Sequence, residues 1–248
     1  MPRFFISKDN IFTRENQEFI KIIGEDAHHI SRSLRMAVGE KIEVCDFSSM
    51  VYTCELKEFN DDGVLALVLD KKLADSEPKH KITLYQALCK GEKMETIVQK
   101  TTECGVSKIV PFRSEFCVVK LDSKDGKKKA ERWGKIAESA AKQSGRGIIP
   151  LVSEPLDFKI AIEDATKASL TIFCNERETE KTLKSILCQK GYDDISIIIG
   201  SEGGFSQREA DYITEKGAKS VTLGKRILRC ETAPTFVLSA IAYETEME

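Results

Sequence analysis

The chain has 248 residues, 41% hydrophobic and 31% charged, with 38 Lys and Arg against 40 Asp and Glu and a formal net charge of −2. That length can bury one large core or two modest ones, and the balanced charge means that an anionic partner must be met by local basic patches. No apolar stretch approaches the ~18 residues of a membrane span, and the first residues lack a charged-then-apolar secretion signal, so the sequence reads as a cytoplasmic protein of bacterial type.

From the start of the chain, β-type runs at residues 3–6, 41–46, 51–59 and 64–69 are separated by polar or glycine turns. One helix interrupts them. Asp26 is placed to cap it, Ala27, Ile30 and Leu34 share an apolar face, and His28, Arg32 and Arg35 share a basic one. That basic face is either a binding edge or a solvated surface. A polar stretch around Asp75, Ser76, Glu77 and Pro78 reads as a linker, 73–81, between a small β domain, 1–72, and a second domain, 82–248. In the second domain strand-like runs (82–88, 108–112, 170–174, 195–199, 220–223) alternate with helical ones (93–104, 127–144, 181–189, 207–216, 234–244). Such alternation makes an α/β fold with a mostly parallel sheet covered by helices on both faces. Helix 127–144 carries Trp133, Ala137, Ala140 and Ala141 on one face, and its lysine-rich start at 124–129 is expected to begin as a mobile loop.

The eight cysteines (45, 54, 89, 104, 117, 174, 188 and 230) include no CxxC pair and several lie in apolar runs. They read as small hydrophobes in a reducing compartment. His28, His29 and His80 do not pair with cysteine or carboxylate at ligand spacing, so no metal site is expected. No nucleophile elbow is present, which argues against covalent hydrolase chemistry.

Residues 197–206, IIIGSEGGFS, set a glycine turn directly after a buried-looking strand, and Ser206 and Glu209 stand in capping-box spacing for a helix from Gln207. Open α/β sheets bind ligands at such turns. The segment lacks both the GxGxxG and the GK[ST] nucleotide fingerprints, so alone it is as well read as a structural turn. Residues 223–234, LGKRILRCETAP, change that balance. Leu223, Ile227 and Leu228 want burial, Lys225, Arg226 and Arg229 want anions, and free backbone groups in such a loop can grip a planar ligand. Two loops, each following a strand of one sheet, can form one pocket with Arg229 and Glu231 at its rim.

These segments, with QSGR at 143–146, KTTECGVSKIVPF at 100–112, and the opening MPRFF and HHISRSLRM, resemble the RsmE family of SPOUT-class methyltransferases, along nearly the whole chain. The resemblance implies an N-terminal PUA-like β-barrel for RNA, a C-terminal SPOUT-type α/β methyltransferase domain with a deep trefoil knot, a homodimer, and S-adenosylmethionine as methyl donor. It implies methylation of N3 of a uridine in 16S ribosomal RNA, in the free RNA or the 30S subunit. The family usually has proline where this chain has Ser201.

On that reading Gly200, Glu202, Gly203, Gly204, Leu223, Gly224, Ile227, Leu228, Arg229 and Ala233 hold the methyl donor, and Asn175 and Glu176 close the pocket from a third loop. The base itself attacks the sulfonium methyl, so no metal or enzyme nucleophile is needed. Glu231 or Glu202 is the expected proton acceptor, with Arg229 on a phosphate or on the developing uridine anion. RNA is expected along Arg3, His28, Arg32, Arg35, Lys128, Arg132, Arg146 and Arg226. A ribose 2′-O methyltransferase of the same class, or a non-catalytic RNA-binding or assembly protein, is the competing expectation.

Overall fold

Six strands form the sheet of a first unit made of Met1–Glu77 and Ala141–Ile149. They are β1 (Arg3–Phe5), β2 (Ile11–Arg14), β3 (Gln17–Ile22), β4 (Lys41–Cys45), β5 (Met50–Asn60) and β6 (Gly63–Leu73), in the order β1-β4-β5-β6-β3-β2. The computed structural model describes residues 1–189 and 191–247. Only β1 and β4 pair in parallel; the other neighbours are antiparallel. Ile20, Ile22, Ile42, Val44, Leu56, Val64 and Ala66 alternate inward and meet Phe4 and Ile30 in one core.

The β2–β3 hairpin is absent from the sequence expectations. Its turn residues, Glu15 and Asn16, both have positive φ (52° and 62°), the backbone of a two-residue hairpin turn, without the Asn-Gly or Asp-Gly pair that signals one. Helix α1 (Gly24–His28) also differs from expectation. Asp26 lies inside it and makes no cap; its carboxylate accepts from Lys142 Nζ at 2.9 Å. The next turn, His29–Ser33, widens to a π-helix, with Leu34 N–H donating to His29 O. The wider turn rotates Leu34 off the line of Ala27 and Ile30 and leaves it 41% exposed. Arg35, at φ 53°, lies beyond the helix and not on a shared face with His28 and Arg32.

The polar stretch before residue 82 has structural partners. Glu77 accepts from Arg146 Nη2 at 2.6 Å, Gly147 N at 2.9 Å and Ile148 N at 3.3 Å, and Ala141 packs with Phe5, Cys45 and Val51. Residues 141–149 therefore belong with the first unit, not with a continuous 82–248 domain.

The second unit, Pro78–Ala140 and Pro150–Glu248, is built on a seven-stranded sheet. Its strands are β7 (Lys81–Ala87), β8 (Lys108–Arg113), β9 (Leu151–Val152), β10 (Leu156–Asp157), β11 (Leu170–Cys174), β12 (Asp194–Ile199) and β13 (Lys219–Val221). Six run in the order β10-β8-β7-β12-β11-β13, β9 also pairs with β8, and every pairing is parallel. The apolar run of β12 is buried on both faces, as a central parallel strand must be. Pro111 sits inside β8 without breaking it. Ile109 O, two residues earlier, accepts from Ser153 N just past β9, and the flanking strand resumes only at β10, so the missing proline N–H falls opposite a gap.

Helices α2 (Lys93–Glu103), α3 (Ser123–Ser144), α4 (Phe158–Ala165), α5 (Leu183–Leu187), α6 (Gln207–Glu215) and α7 (Thr232–Glu246) follow the strands. Ala161, Ile162, Ala210 and Ile213 of α4 and α6 cover one sheet face with Phe112, Phe173 and Phe205, while α2 and α7 pack together and α7 also packs on β12. The lysine-rich start of α3 is helical, not a loop, because the Asp122 carboxylate accepts from Asp125 N at 2.7 Å. Trp133, Ala137, Ala140 and Ala141 are all buried, as their spacing predicts. Among the described residues no helix is long and apolar enough to cross a membrane.

Candidate active site

Three adjacent strands, β12, β11 and β13, send their carboxyl ends into loops that, with Lys93 at the start of α2, enclose one cleft of about 710 Å³. It lies where α/β sheets bind ligands, and its size suits a small organic molecule. Two of these loops carry the motifs singled out in the sequence.

The glycine loop after β12 is held in shape from both ends. Gly204 N–H returns to Ser201 O at 3.0 Å, and Gly204 takes φ +65°, where a side chain is strained. A Cβ on Gly203 would stand 2.9 Å from Phe116 Cβ. At the far end the capping box forms as the spacing requires: Ser206 Oγ accepts from Glu209 N, and Glu209 Oε2 accepts from Ser206 N. Glu209 is buried, and its other oxygen accepts from Glu115 N at 2.8 Å.

The loop from β13 to α7 forms the opposite wall. The backbone N–H groups of residues 225–228 make no hydrogen bond among the described residues, so they are available to a ligand. Ser201 Oγ on the cleft wall and Gln86 Oε1 beneath it are buried without a partner. These free donors and acceptors suit a small ligand that carries its own polar groups. Ile227, expected to seek burial, is 85% exposed. The third wall is the segment after β11. Asn175 N donates to Val221 O, Glu178 Oε1 collects the N–H groups of Thr179, Glu180 and Lys181, and Thr222 N donates to Lys181 O. That pairing uses the residues expected to open helix 181–189, so α5 begins only after Thr182, whose hydroxyl caps it.

Of the expected donor-binding residues, Asn175, Glu176, Gly200, Glu202, Gly204, Leu223, Gly224, Ile227, Leu228, Arg229 and Ala233 all line the cleft, together with Glu231. Gly203 does not; it packs under Phe116. One residue went unrecognised in the sequence. Lys93, at the start of α2, places Nζ 3.0 Å from Glu202 Oε1 and 3.9 Å from Glu231 Oε2. Its signal was position, since it follows the turn after a central strand and so reaches the same sheet edge.

Burial works to raise the Glu202 carboxyl, but the Lys93 hydrogen bond and the backbone donors outweigh it and hold the group below the usual carboxylate range. Glu231 is likewise lowered against the effect of burial, by its own N–H, the Cys230 thiol, and the charges of Lys93 and Arg229. Lys93 is in turn raised by its bond to Glu202. The cleft thus holds two carboxylates that share one ammonium. Arg229, Lys225 and Arg226 form no ion pair among the described residues and give the rim a positive edge.

The expected RNA contacts divide into free and engaged cations. His28 and Arg32 border a shallow groove on the first unit, and Arg35 is exposed. Lys128 is exposed, and Arg132 is 61% exposed while paired with Glu95. Arg3 and Arg146 differ from that expectation: Arg3, half-buried, binds Glu43 at 2.7 Å and Gly145 O, and Arg146, 3% exposed, binds Glu77, so both cations are engaged in ion pairs within the first unit.

A family model described as an RNA methyltransferase domain matches residues 75–242, and one described as an RNA methyltransferase PUA domain matches residues 22–69. The chain is 37% identical to the ribosomal RNA small subunit methyltransferase E of Bacillus subtilis, over 100% of this chain and 98% of that protein. The crystal structure of a ribosomal RNA small subunit methyltransferase E from Neisseria gonorrhoeae bound to S-adenosyl methionine superposes with a TM-score of 0.85 at 30% identity, covering 98% of this chain and 97% of that one. A methyltransferase from Legionella pneumophila in complex with the same cofactor gives a TM-score of 0.84 at 30% identity, over 97% and 96%.

Proposed function

The chain belongs to this RNA methyltransferase family, and we propose that it transfers a methyl group from S-adenosylmethionine to N3 of a uridine in 16S ribosomal RNA. The observation that carries the reading is the three-loop cleft, with free backbone donors on one wall and the Lys93–Glu202–Glu231 triplet on another.

S-adenosylmethionine, when bound, supplies an electrophilic methyl group on a positively charged sulfur. The chain's own part is to bind, orient and move a proton. Residues 223–228 and the turn at Gly200 and Gly204 offer backbone groups to the donor. Uracil N3 carries a proton that must leave as the nitrogen attacks. Glu202 Oε1 is occupied by Lys90 N–H and Lys93 Nζ, whereas Glu231 accepts from its own N–H and the adjacent thiol and lies 3.9 Å from Lys93. Glu231 is therefore the freer acceptor, and Lys93 with Glu202 fixes its field. Arg229 stabilises the negative charge that develops on the uracil.

The finer points of the family belong to the same proposal: a closed β-barrel for RNA in the first unit, a methyltransferase domain in the second, a deep trefoil knot, a homodimer, the 30S subunit as substrate, no metal requirement for the transfer, and a place in the cytoplasm, where ribosomes are made. Support for the knot comes from β12 lying between β7 and β11 and from the pairing of Thr182 with Thr222. On the RNA side, His28, Arg32, Arg35, Lys128, Arg132 and Arg226 are the cations that contact phosphates, and Ser201 is a donor-cleft residue.

The test is incubation of naked 16S RNA and of 30S particles with labelled S-adenosylmethionine, followed by mapping of the modified nucleotide. Methylation at N3 removes a Watson–Crick donor and stops reverse transcription at one uridine. A methyl on ribose would instead support the 2′-O alternative, and no transfer together with no donor binding would leave an RNA-binding module.

A further inference from the structure

Two cysteines meet beside the cleft although they are distant in sequence. Cys89 lies just past the carboxyl end of β7, and Cys230 lies between Arg229 and Glu231. Their sulfurs and a carboxylate oxygen of Glu202 all lie within 4.8 Å of one another. Cys89 is 3% and Cys230 8% exposed. We propose that Cys89, Cys230 and Glu202 form a binding site for a borderline-soft divalent cation of the zinc type.

The geometry is close to what such an ion requires. With Zn–S near 2.3 Å and Zn–O near 2.1 Å, tetrahedral donors stand roughly 3.7 Å apart. Donors already within 4.8 Å need to close by no more than about 1 Å. The surroundings supply further support. Gln86 Nε2 approaches Cys89 Sγ at 3.6 Å, the kind of outer donor that steadies a metal-bound thiolate. Glu202 is anchored through Oε1 by Lys90 N and Lys93 Nζ, so Oε2 can turn to an ion. Two thiolates and one carboxylate around a dication leave one negative charge, which the Lys93 ammonium offsets. Glu202 and Cys230 line the cleft, so an ion reaches the donors through it. Sulfur donors select against magnesium and calcium, which require all-oxygen cages.

Loading forms two metal–sulfur bonds and one metal–oxygen bond, breaks two S–H bonds and releases both protons to solvent; no electron is transferred. Because both thiols must lose a proton to ligate, affinity should rise with pH as about two protons leave per ion.

The experiment uses the full reduced chain, stripped with a chelator. It is titrated with Cd2+, which reports thiolate ligation by its ultraviolet charge-transfer band, and with Zn2+ against a chromophoric chelator. One equivalent should bind, with uptake steepening as pH rises. Cys89→Ser and Cys230→Ser should each weaken Zn2+ binding by about 100-fold or more, while Cys188→Ser, at an exposed thiol, should not. Zinc-edge X-ray absorption of the loaded wild-type chain, which needs no variant to fold, should show two sulfur neighbours. Wild-type affinity equal to that of the serine variants, loss of binding in Cys188→Ser, or an absorption spectrum without sulfur would overturn the site.

Discussion

Lys93 holds Glu202 through a 3.0 Å ion pair that fastens the first turn of α2 to the glycine loop after β12. The same ammonium lies 3.9 Å from Glu231, so removing one cation disturbs both carboxylates of the cleft. Because both groups sit below their ordinary range, they stay ionised down to acid pH. A transfer step that needs an ionised carboxylate loses rate as pH falls through that lowered value. Lys93→Met removes the largest stabiliser of the ionised Glu202 and one of several for Glu231, so the acid limb of the single-turnover profile should move to higher pH. An unmoved limb would show that neither carboxylate takes part.

Glu231→Gln should slow single-turnover methyl transfer by about 100-fold or more while leaving donor affinity within about twofold, since general-base contributions are of that order. Glu202→Gln should act less on rate and more on the ordering of its loop. Wild-type rates in both variants would remove the carboxylates from the mechanism.

Gly204→Ala puts a side chain at φ +65° and 3.1 Å from Glu176 Oε1. It should cost about 1 kcal/mol of stability and weaken donor binding about tenfold. Gly217→Ala, at φ +98° with open space around it, is the control: similar destabilisation, unchanged affinity. Calorimetry with S-adenosylmethionine and thermal melts separate the two effects, and equal affinity loss in both variants would contradict a cleft-specific role for the turn.

Arg146 and Arg32 should behave oppositely although both are arginines in basic stretches. Arg146→Ala empties a buried cation site and leaves the half-buried Glu77 without its ion-pair partner, and should destabilise the first unit by about 3 kcal/mol. Arg32→Ala combined with Arg35→Ala should leave the melt unchanged but weaken RNA binding and lower its salt slope by about two. A salt slope that changes with Arg146 and not with Arg32 and Arg35 would reverse the assignment.

Asp46 gives a pH signature to the first unit. Its side chain is 2% exposed and accepts from Ser48 N and Oγ, Met50 N and Tyr52 OH. Burial opposes ionisation, but the Ser48 bonds, Lys8 and the Met50 N–H prevail and lower its pKa below 3.8. Since the folded value lies under the unfolded one, the stabilisation is complete above pH ~4 and fades as pH falls through the lowered pKa. Asp46→Asn should destabilise by about 2 kcal/mol at neutral pH and flatten the acid side of the stability curve below pH ~4, as followed by urea melts.

Much of this was legible because the physics was local. Ser206 and Glu209 form the capping box their spacing announces, and the uninterrupted apolar run of β12 fixes a central parallel strand. The failures arose where distant residues decide. Asp26 looks like a cap until Lys142 claims it, Arg146 looks like a phosphate contact until Glu77 does, and Leu34 leaves its face because one turn widens. At the cleft, the two flanking loops could be read from their motifs, but Lys93 and the meeting of Cys89 with Cys230 depend on which strands become neighbours.

The position of β12 sets a constraint on how the chain is made. β7 and β11 are both synthesised before β12, yet in the finished sheet each pairs with it and not with the other. A nascent chain that has not yet released residue 194 from the ribosome therefore carries one unfilled parallel edge on β7 and two on β11, because β13 also follows β12. Such edges invite pairing with other chains, and the contacts that close them are long in sequence and slow to form. Synthesis stalled between β11 and β12 should be the point at which this protein most needs a chaperone.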